Sequence, residues 1–127
     1  MLAALFLTAS LVLQFEPTWY ELGSTLVGAS QDHDTIIATA AQGTAVRAVK
    51  ITVQRSDLRL TRIVLRFEKG EPLELRLHDL IPDGGESRTI HLKGNDRAIL
   101  GLDFWYDPKT VGRRGVLVEL IGREGKP

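Results

Sequence analysis

From Trp19 onward, apolar side chains return at every second position, and no segment keeps a helical three-and-four spacing for three turns. Successive side chains of a β-strand point to opposite faces, so a period of two means a ribbon with one apolar and one wet side. The runs read as Trp19–Val27, Thr35–Thr39, Val46–Gln54, Leu58–Phe67, Leu73–His78, Arg88–Leu92, Ala98–Tyr106 and Gly115–Ile121. The connectors between them hold most of the Gly, Pro, Asn and Asp, which supply the backbone angles and local hydrogen bonds of turns. Short strands at roughly 8–12-residue spacing predict an all-β fold: a single antiparallel β-sandwich, jelly-roll-like or immunoglobulin-like, with about eight strands.

Alternation also assigns faces. Val49, Ile51 and Val53 point one way and Lys50, Thr52 and Gln54 the other. Leu73, Leu75 and Leu77 alternate with Glu74, Arg76 and His78, and Ile63, Leu65 and Phe67 with Arg62, Val64 and Arg66. If these two runs form a hairpin, pairing Phe67 with Leu73 sets Leu65 against Leu75 and Ile63 against Leu77, with Arg66 opposite Glu74. Gly70 is then free to take a left-handed turn position. In Ala98–Tyr106 the even positions Leu100, Leu102, Phe104 and Tyr106 form an apolar stripe. Ile99 and Trp105 make the other phase apolar as well.

A chain of 127 residues fits one domain. At this size folding buries about two-thirds of the unfolded surface, enough for a core without staples. Sixteen basic and sixteen acidic residues cancel, so no overall field draws the chain to nucleic acid. The absence of cysteine excludes disulfides, thiolate metal sites and cysteine nucleophiles together.

The start of the chain is different. Leu2 to Leu13 is uncharged and apolar or small, too short to span a bilayer but suited to a signal-peptide hydrophobic region. No Lys or Arg flanks Met1 and no clear Ala-x-Ala follows, so a packed N-terminal helix or strand is the alternative. Residues 1–16 read as a signal-peptide-like leader, 17–122 as the sandwich and 123–127 as a polar tail. The expected location is periplasmic or secreted.

No motif of catalysis stands out. Asp32-His33-Asp34 offers three consecutive ligand types, but consecutive strand residues diverge, so it reads as a solvated turn rather than a metal site. There is no Gly-x-Ser-x-Gly elbow, His-Glu-x-x-His helix or phosphate-binding glycine loop. No cofactor or metal is implied. Asp103 lies inside an apolar strand, either bonded to backbone or to an arginine such as Arg88 or Arg97, or serving a site. Trp19-Tyr20 and Trp105-Tyr106 are adjacent pairs, so one member of each faces out of its strand. Either tryptophan fills the core or stands exposed to stack on a sugar ring. Arg113 and Arg114 form a local basic loop able to meet an anion.

Asp32-His33-Asp34-Thr35-Ile36, then Ser87-Arg88-Thr89-Ile90-His91-Leu92-Lys93-Gly94-Asn95-Asp96-Arg97-Ala98-Ile99, and then Tyr106, form a recognisable pattern. It is a D-x-D-x-I strand start followed by S-R-x-I-x-L-x-G-x-x-R-x-I. The chain from about Trp19 to Ile121 resembles a group of small exported bacterial proteins known only as a domain of unknown function. The resemblance implies a secreted or periplasmic β-sandwich and assigns no catalytic residue. The expected function is a non-enzymatic binding module of the cell envelope, with a glycan or an envelope protein as partner and neither nucleic acid nor a transmembrane span in the mature protein. Trp105, Asp103, Trp19, Arg113 and Arg114 are the candidate ligand-binding residues. The alternatives are a hydrolase of envelope polysaccharide using Asp103 with Glu68, Glu74 or Glu86, and a structural component joined through an exposed strand edge.

Overall fold

A computed structural model of the chain describes residues 18–39, 46–93 and 98–124. The expected leader and most of the Lys93–Asp96 turn, with Arg97, lie outside the described residues. Eight strands are present: β1 (Trp19–Val27), β2 (His33–Ile37), β3 (Val46–Gln54), β4 (Leu58–Phe67), β5 (Leu73–Ile81), β6 (Ile90–His91), β7 (Ile99–Asp107) and β8 (Val116–Glu124). A 3-10 turn at Pro108–Thr110, capped by the Asp107 carboxylate, follows β7.

The strands form two four-stranded sheets in the orders β1-β8-β3-β6 and β2-β7-β4-β5, every pair antiparallel. The pairs β1–β8, β2–β7, β3–β6 and β4–β5 are those of one long antiparallel hairpin, folded at β4–β5 and rolled up. That is a jelly roll. An immunoglobulin sandwich sets its first two strands side by side in one sheet, whereas here β1 and β2 lie in different sheets.

The core lies between the sheets. Leu22, Val46, Ile51, Val53, Val118 and Leu120 from one sheet meet Ile36, Leu58, Ile63, Leu65, Leu102 and Phe104 from the other, all essentially without exposure. Neither tryptophan is among the core residues.

Strands β3, β4 and β7 change phase along their length, as β1 does at its shift between Glu21 and Gly23, which simple alternation does not anticipate. A β-bulge puts an extra residue into one strand and turns the side chains beyond it to the opposite face. In β4 the buried set is Leu58 and Leu60, then Ile63, Leu65 and Phe67, with a register shift between Leu60 and Arg62. In β3 it is Val46 and Ala48, then Val49, Ile51 and Val53. In β7 the shift opposite Arg66 and Phe67 buries Ile99 and leaves Leu100 53% exposed. The expected stripe from Leu100 to Tyr106 therefore starts at Leu102, and Ile99 takes the place of Leu100 in the core.

The hairpin of β4 and β5 forms with both apolar sets inward, but displaced by two residues. Leu65 pairs with Leu73, Ile63 with Leu75 and Val64 with Glu74, while Phe67 goes on to pair with Ile99 of β7. A shift of two leaves every side chain on its face, so the hydrophobic pattern cannot distinguish the two registers. The longer loop keeps Gly70 at φ +94°, the left-handed position foreseen for it.

Strand ends differ from expectation where side chains compete with the ladder. β2 begins at His33, not Thr35, because His33 and Asp34 pair with Trp105 and Phe104. β5 runs on to Ile81, which pairs with Leu58 and is buried. β6 shrinks to Ile90–His91, because the segment before it is held differently. Ser87 Oγ accepts the Ile51 amide at 2.9 Å and donates to the Arg88 carbonyl at 2.8 Å.

Glycines clamp β2 between its neighbours. A Cβ on Gly23 or Gly101 would run into the backbone carbonyl of Ile37 or Ile36. This close approach lets Thr39 donate to the Leu22 carbonyl at 2.8 Å and Ala38 to Leu100 at 2.9 Å, tying the two sheets at one corner.

Candidate functional site on the outer face of one sheet

The outer face of the β2-β7-β4-β5 sheet gathers a connected set of charged and aromatic side chains. Alternation puts His33 and Thr35 of β2, Asp103 and Trp105 of β7, Arg62 and Arg66 of β4, and Glu74 and Arg76 of β5 on the side away from the core. Register then lines them up across strands. His33 lies opposite Trp105, Trp105 opposite Arg62, and Arg62 opposite Arg76. In the next row Thr35, Asp103, Val64 and Glu74 follow in order.

Trp105 is half-buried between its two neighbours. The His33 ring stacks on it at 5.9 Å between centroids and 18° between planes, and the Arg62 guanidinium carbon lies 4.3 Å from the ring centroid. Its strand neighbours lie on opposite sides, so histidine and arginine flank the indole as a three-membered stack. The ring quadrupole attracts the guanidinium.

Carboxylates brace this stack. Arg62 Nε donates to Glu74 Oε1 at 2.8 Å. Hydrogen bonding to Arg62 and its charge, with a smaller contribution from Arg76, hold the Glu74 carboxyl below the usual glutamate range. Asp103 is more enclosed: its Oδ1 accepts from Thr35 Oγ1 at 2.7 Å, and its Oδ2 accepts from Arg66 Nε at 2.7 Å with Nη2 at 2.6 Å. Asp103 thus finds its arginine in Arg66. Arg88 is taken by Asp79 through two bonds of 2.9 and 2.7 Å. Beside His33 is a shallow depression of about 300 Å³ lined by Gln31, Asp32, His33, Asp34 and Thr35. Asp32 Oδ1 is 3.1 Å from His33 Nδ1, and Asp34 Oδ2 accepts from Thr25 Oγ1 of β1 at 2.9 Å. No group of three or more His, Asp or Glu side chains that could hold a metal occurs among the described residues.

Of the five sequence candidates, Trp105 and Asp103 come together here. Trp19 stands on the outer face of the other sheet, with Lys50 Nζ 4.3 Å and the Arg123 guanidinium carbon 5.4 Å from its ring centroid. Arg113 and Arg114 are exposed in the β7–β8 connection, and neither forms an ion pair among the described residues. His33, Arg62, Arg66 and Glu74 are not marked as one constellation by the sequence alone. Alternation leaves His33 in a turn, and a register displaced by two residues matches Arg66 with Glu74 instead of Asp103.

A second feature also escapes the sequence. On the outer face of the β1-β8-β3-β6 sheet, burial, together with the hydrogen bond and charge of Glu21, pushes the Glu119 carboxyl up. Gln54 Nε2 also reaches Glu119 Oε1 at 3.4 Å.

Among curated proteins, none matches the chain in sequence. Among solved structures, the fold is similar to that of AlgX from Pseudomonas aeruginosa, with a TM-score of 0.53 and 14% sequence identity. The likeness covers 84% of this chain and 27% of that one, so the chain spans about a quarter of its neighbour's length. At that identity the similarity is one of fold. Family comparison is more direct: the chain belongs to the family described as Domain of unknown function (DUF2541), whose model matches residues 1–122.

Proposed function

We propose that this chain is a non-catalytic binding module of the cell envelope that meets a glycan on the outer face of the β2-β7-β4-β5 sheet. The observation that carries this reading is the half-exposed Trp105, set in a row with His33 and Arg62 beside a polar depression. Sugars present hydroxyl pairs and weakly apolar C–H faces. A tryptophan edge ringed by arginine, aspartate and histidine offers both apolar contact and charge-assisted hydrogen bonds. Because His33 and Arg62 flank the indole, a sugar lies across the top of the three-membered stack rather than flat on a bare ring. The uncharged, apolar Leu2–Leu13 stretch, of a length suited to a signal peptide, supports a location in the envelope. No helix among the described residues is long and apolar enough to cross a membrane.

Binding is favoured here over polysaccharide hydrolysis by what occupies the carboxylates. A glycosidase needs a carboxyl that holds a proton near neutrality. Of the carboxylates the hydrolase alternative draws on, Glu74 is pulled the other way by Arg62, while an oxygen of Glu86 is bonded by Lys50 at 3.0 Å and those of Asp103 by Arg66 and Thr35. A glycan array probed with the purified domain tests the proposal. Binding that Trp105→Ala abolishes, with the unfolding transition unchanged, supports it. An array with no hits, or hits indifferent to Trp105→Ala, rejects it.

A further inference from the structure

Arginines and carboxylates on the outer face of the β2-β7-β4-β5 sheet do not match one for one. Arg66 holds Asp103, Arg62 holds Glu74, and Arg59 donates to the His78 carbonyl at 3.4 Å. Arg76 is left over. It is exposed, forms no ion pair among the described residues, and sits directly across from Arg62. Like charges facing each other across two strands are destabilising, and nothing in the packing of the core requires this pair. Two guanidinium groups therefore share the single Glu74 carboxylate, whereas each is built to grip a carboxylate with two parallel N–H bonds. Among the described residues Arg62 uses only its Nε in a hydrogen bond, so its terminal nitrogens remain available.

We propose that the ligand of this face is an acidic glycan whose carboxylate seats between Arg76 and Arg62, beside the Trp105 stack. The inference rests on the binding reading above and sharpens it from glycans in general to carboxylate-bearing ones. An incoming carboxylate restores a two-to-two balance of guanidinium and carboxylate and relieves the repulsion between the facing arginines. The row from Trp105 through Arg62 to Arg76 crosses two inter-strand spacings, about 10 Å. An extended polysaccharide laid across the strands thus meets the stack with one sugar and the arginine pair with a neighbouring one.

The test compares polygalacturonate with its fully methyl-esterified form, which has the same backbone without the charge. Both are titrated into the full chain and followed by calorimetry. The expected result is binding of the acid at least tenfold tighter than of the ester, and a loss of about tenfold or more for the acid in Arg76→Gln. Arg76→Lys, which keeps the charge but not the fork, recovers part of that loss. Arg76 is exposed and the substitution removes a like charge, so the urea midpoint of Arg76→Gln stays level or rises. Equal binding of acid and ester, or an Arg76→Gln variant with wild-type affinity, overturns the acidic assignment and leaves the glycan reading in place. Failure of the wild-type chain to bind polygalacturonate also overturns it. Coupled with an empty glycan array, that failure removes the broader reading as well.

Discussion

Trp105 and Arg62 are direct cross-strand neighbours on adjacent strands β7 and β4, with the guanidinium carbon 4.3 Å from the indole centroid. The contact gives the candidate site its shape, because Arg62 is also the partner of Glu74 and the neighbour of Arg76. Arg62→Ala is expected to loosen Trp105 while costing little stability, about 0.5–1 kcal/mol, the size of an exposed cation–π contact. Urea denaturation measures the cost, and a red-shifted tryptophan emission reports the freed ring. A loss above about 3 kcal/mol, the range of core truncations, would mean that Arg62 is a core prop rather than a surface one.

The phase change in β7 makes two adjacent residues respond in opposite ways. Ile99 is 4% exposed and Leu100 is 53% exposed. Ile99→Ala should cost about 2 kcal/mol or more by emptying a core position. Leu100→Ala should stay within about 0.5 kcal/mol. The reverse ranking in chemical denaturation would place the bulge elsewhere.

The clamp on β2 predicts a steric penalty at Gly101. A methyl group there meets the Ile36 carbonyl, a backbone atom that cannot swing away. Gly101→Ala is expected to lower stability by about 1–3 kcal/mol, the usual range for overpacking. Gly28 has nothing within 4 Å of its missing Cβ, so Gly28→Ala serves as the control and should leave the midpoint near that of the parent. Equal midpoints for the two variants would argue against the close approach.

Two carboxyls should tilt the stability profile in opposite directions with pH. Asp79 is held below the usual aspartate range, chiefly by its hydrogen bonds to Arg88. Its contribution is fully present above the ordinary aspartate value, about pH 4, and is lost as pH falls through the depressed value. Glu119 is raised by burial and by Glu21, so its contribution is complete below the ordinary glutamate value and fades as pH rises through the raised one. Glu119→Gln should therefore gain on the wild type at about pH 8 and match it near pH 4. Asp79→Asn should be weaker than wild type at about pH 8, with the gap closing in acid. Urea midpoints at the two pH values decide both.

The alternation of Val49, Ile51 and Val53, or of Leu102 and Phe104, is enough to read an eight-stranded sandwich, because burial of one face is written into every second residue. Strand order is not legible, since β1 pairs with β8 and β2 with β7 across almost the whole chain. Nothing local encodes those contacts. Register is legible only up to a shift of two: Leu65 faces inward whether it meets Leu75, as expected, or Leu73, as found. That ambiguity hides the candidate site, which depends on which arginine meets which carboxylate. Trp105 and Asp103 are visible as odd residues in an apolar strand. Their partners His33, Arg62 and Arg66 look like ordinary solvent-face residues until the pairing of β2, β7 and β4 brings them together. Bulges hide the rest, since a single extra residue in β4 or β7 reverses which phase is buried.

The most direct measurement is a glycan titration followed residue by residue in the amide and indole N–H spectrum of the labelled chain, starting from the best array hit and from polygalacturonate. The expected result is a compact set of shifts at His33, Arg62, Arg76, Asp103 and the Trp105 indole, with Trp19 on the far sheet unmoved. Shifts centred on Trp19 or on Arg113 and Arg114, or no saturable shifts with any probe, would contradict a binding face at Trp105.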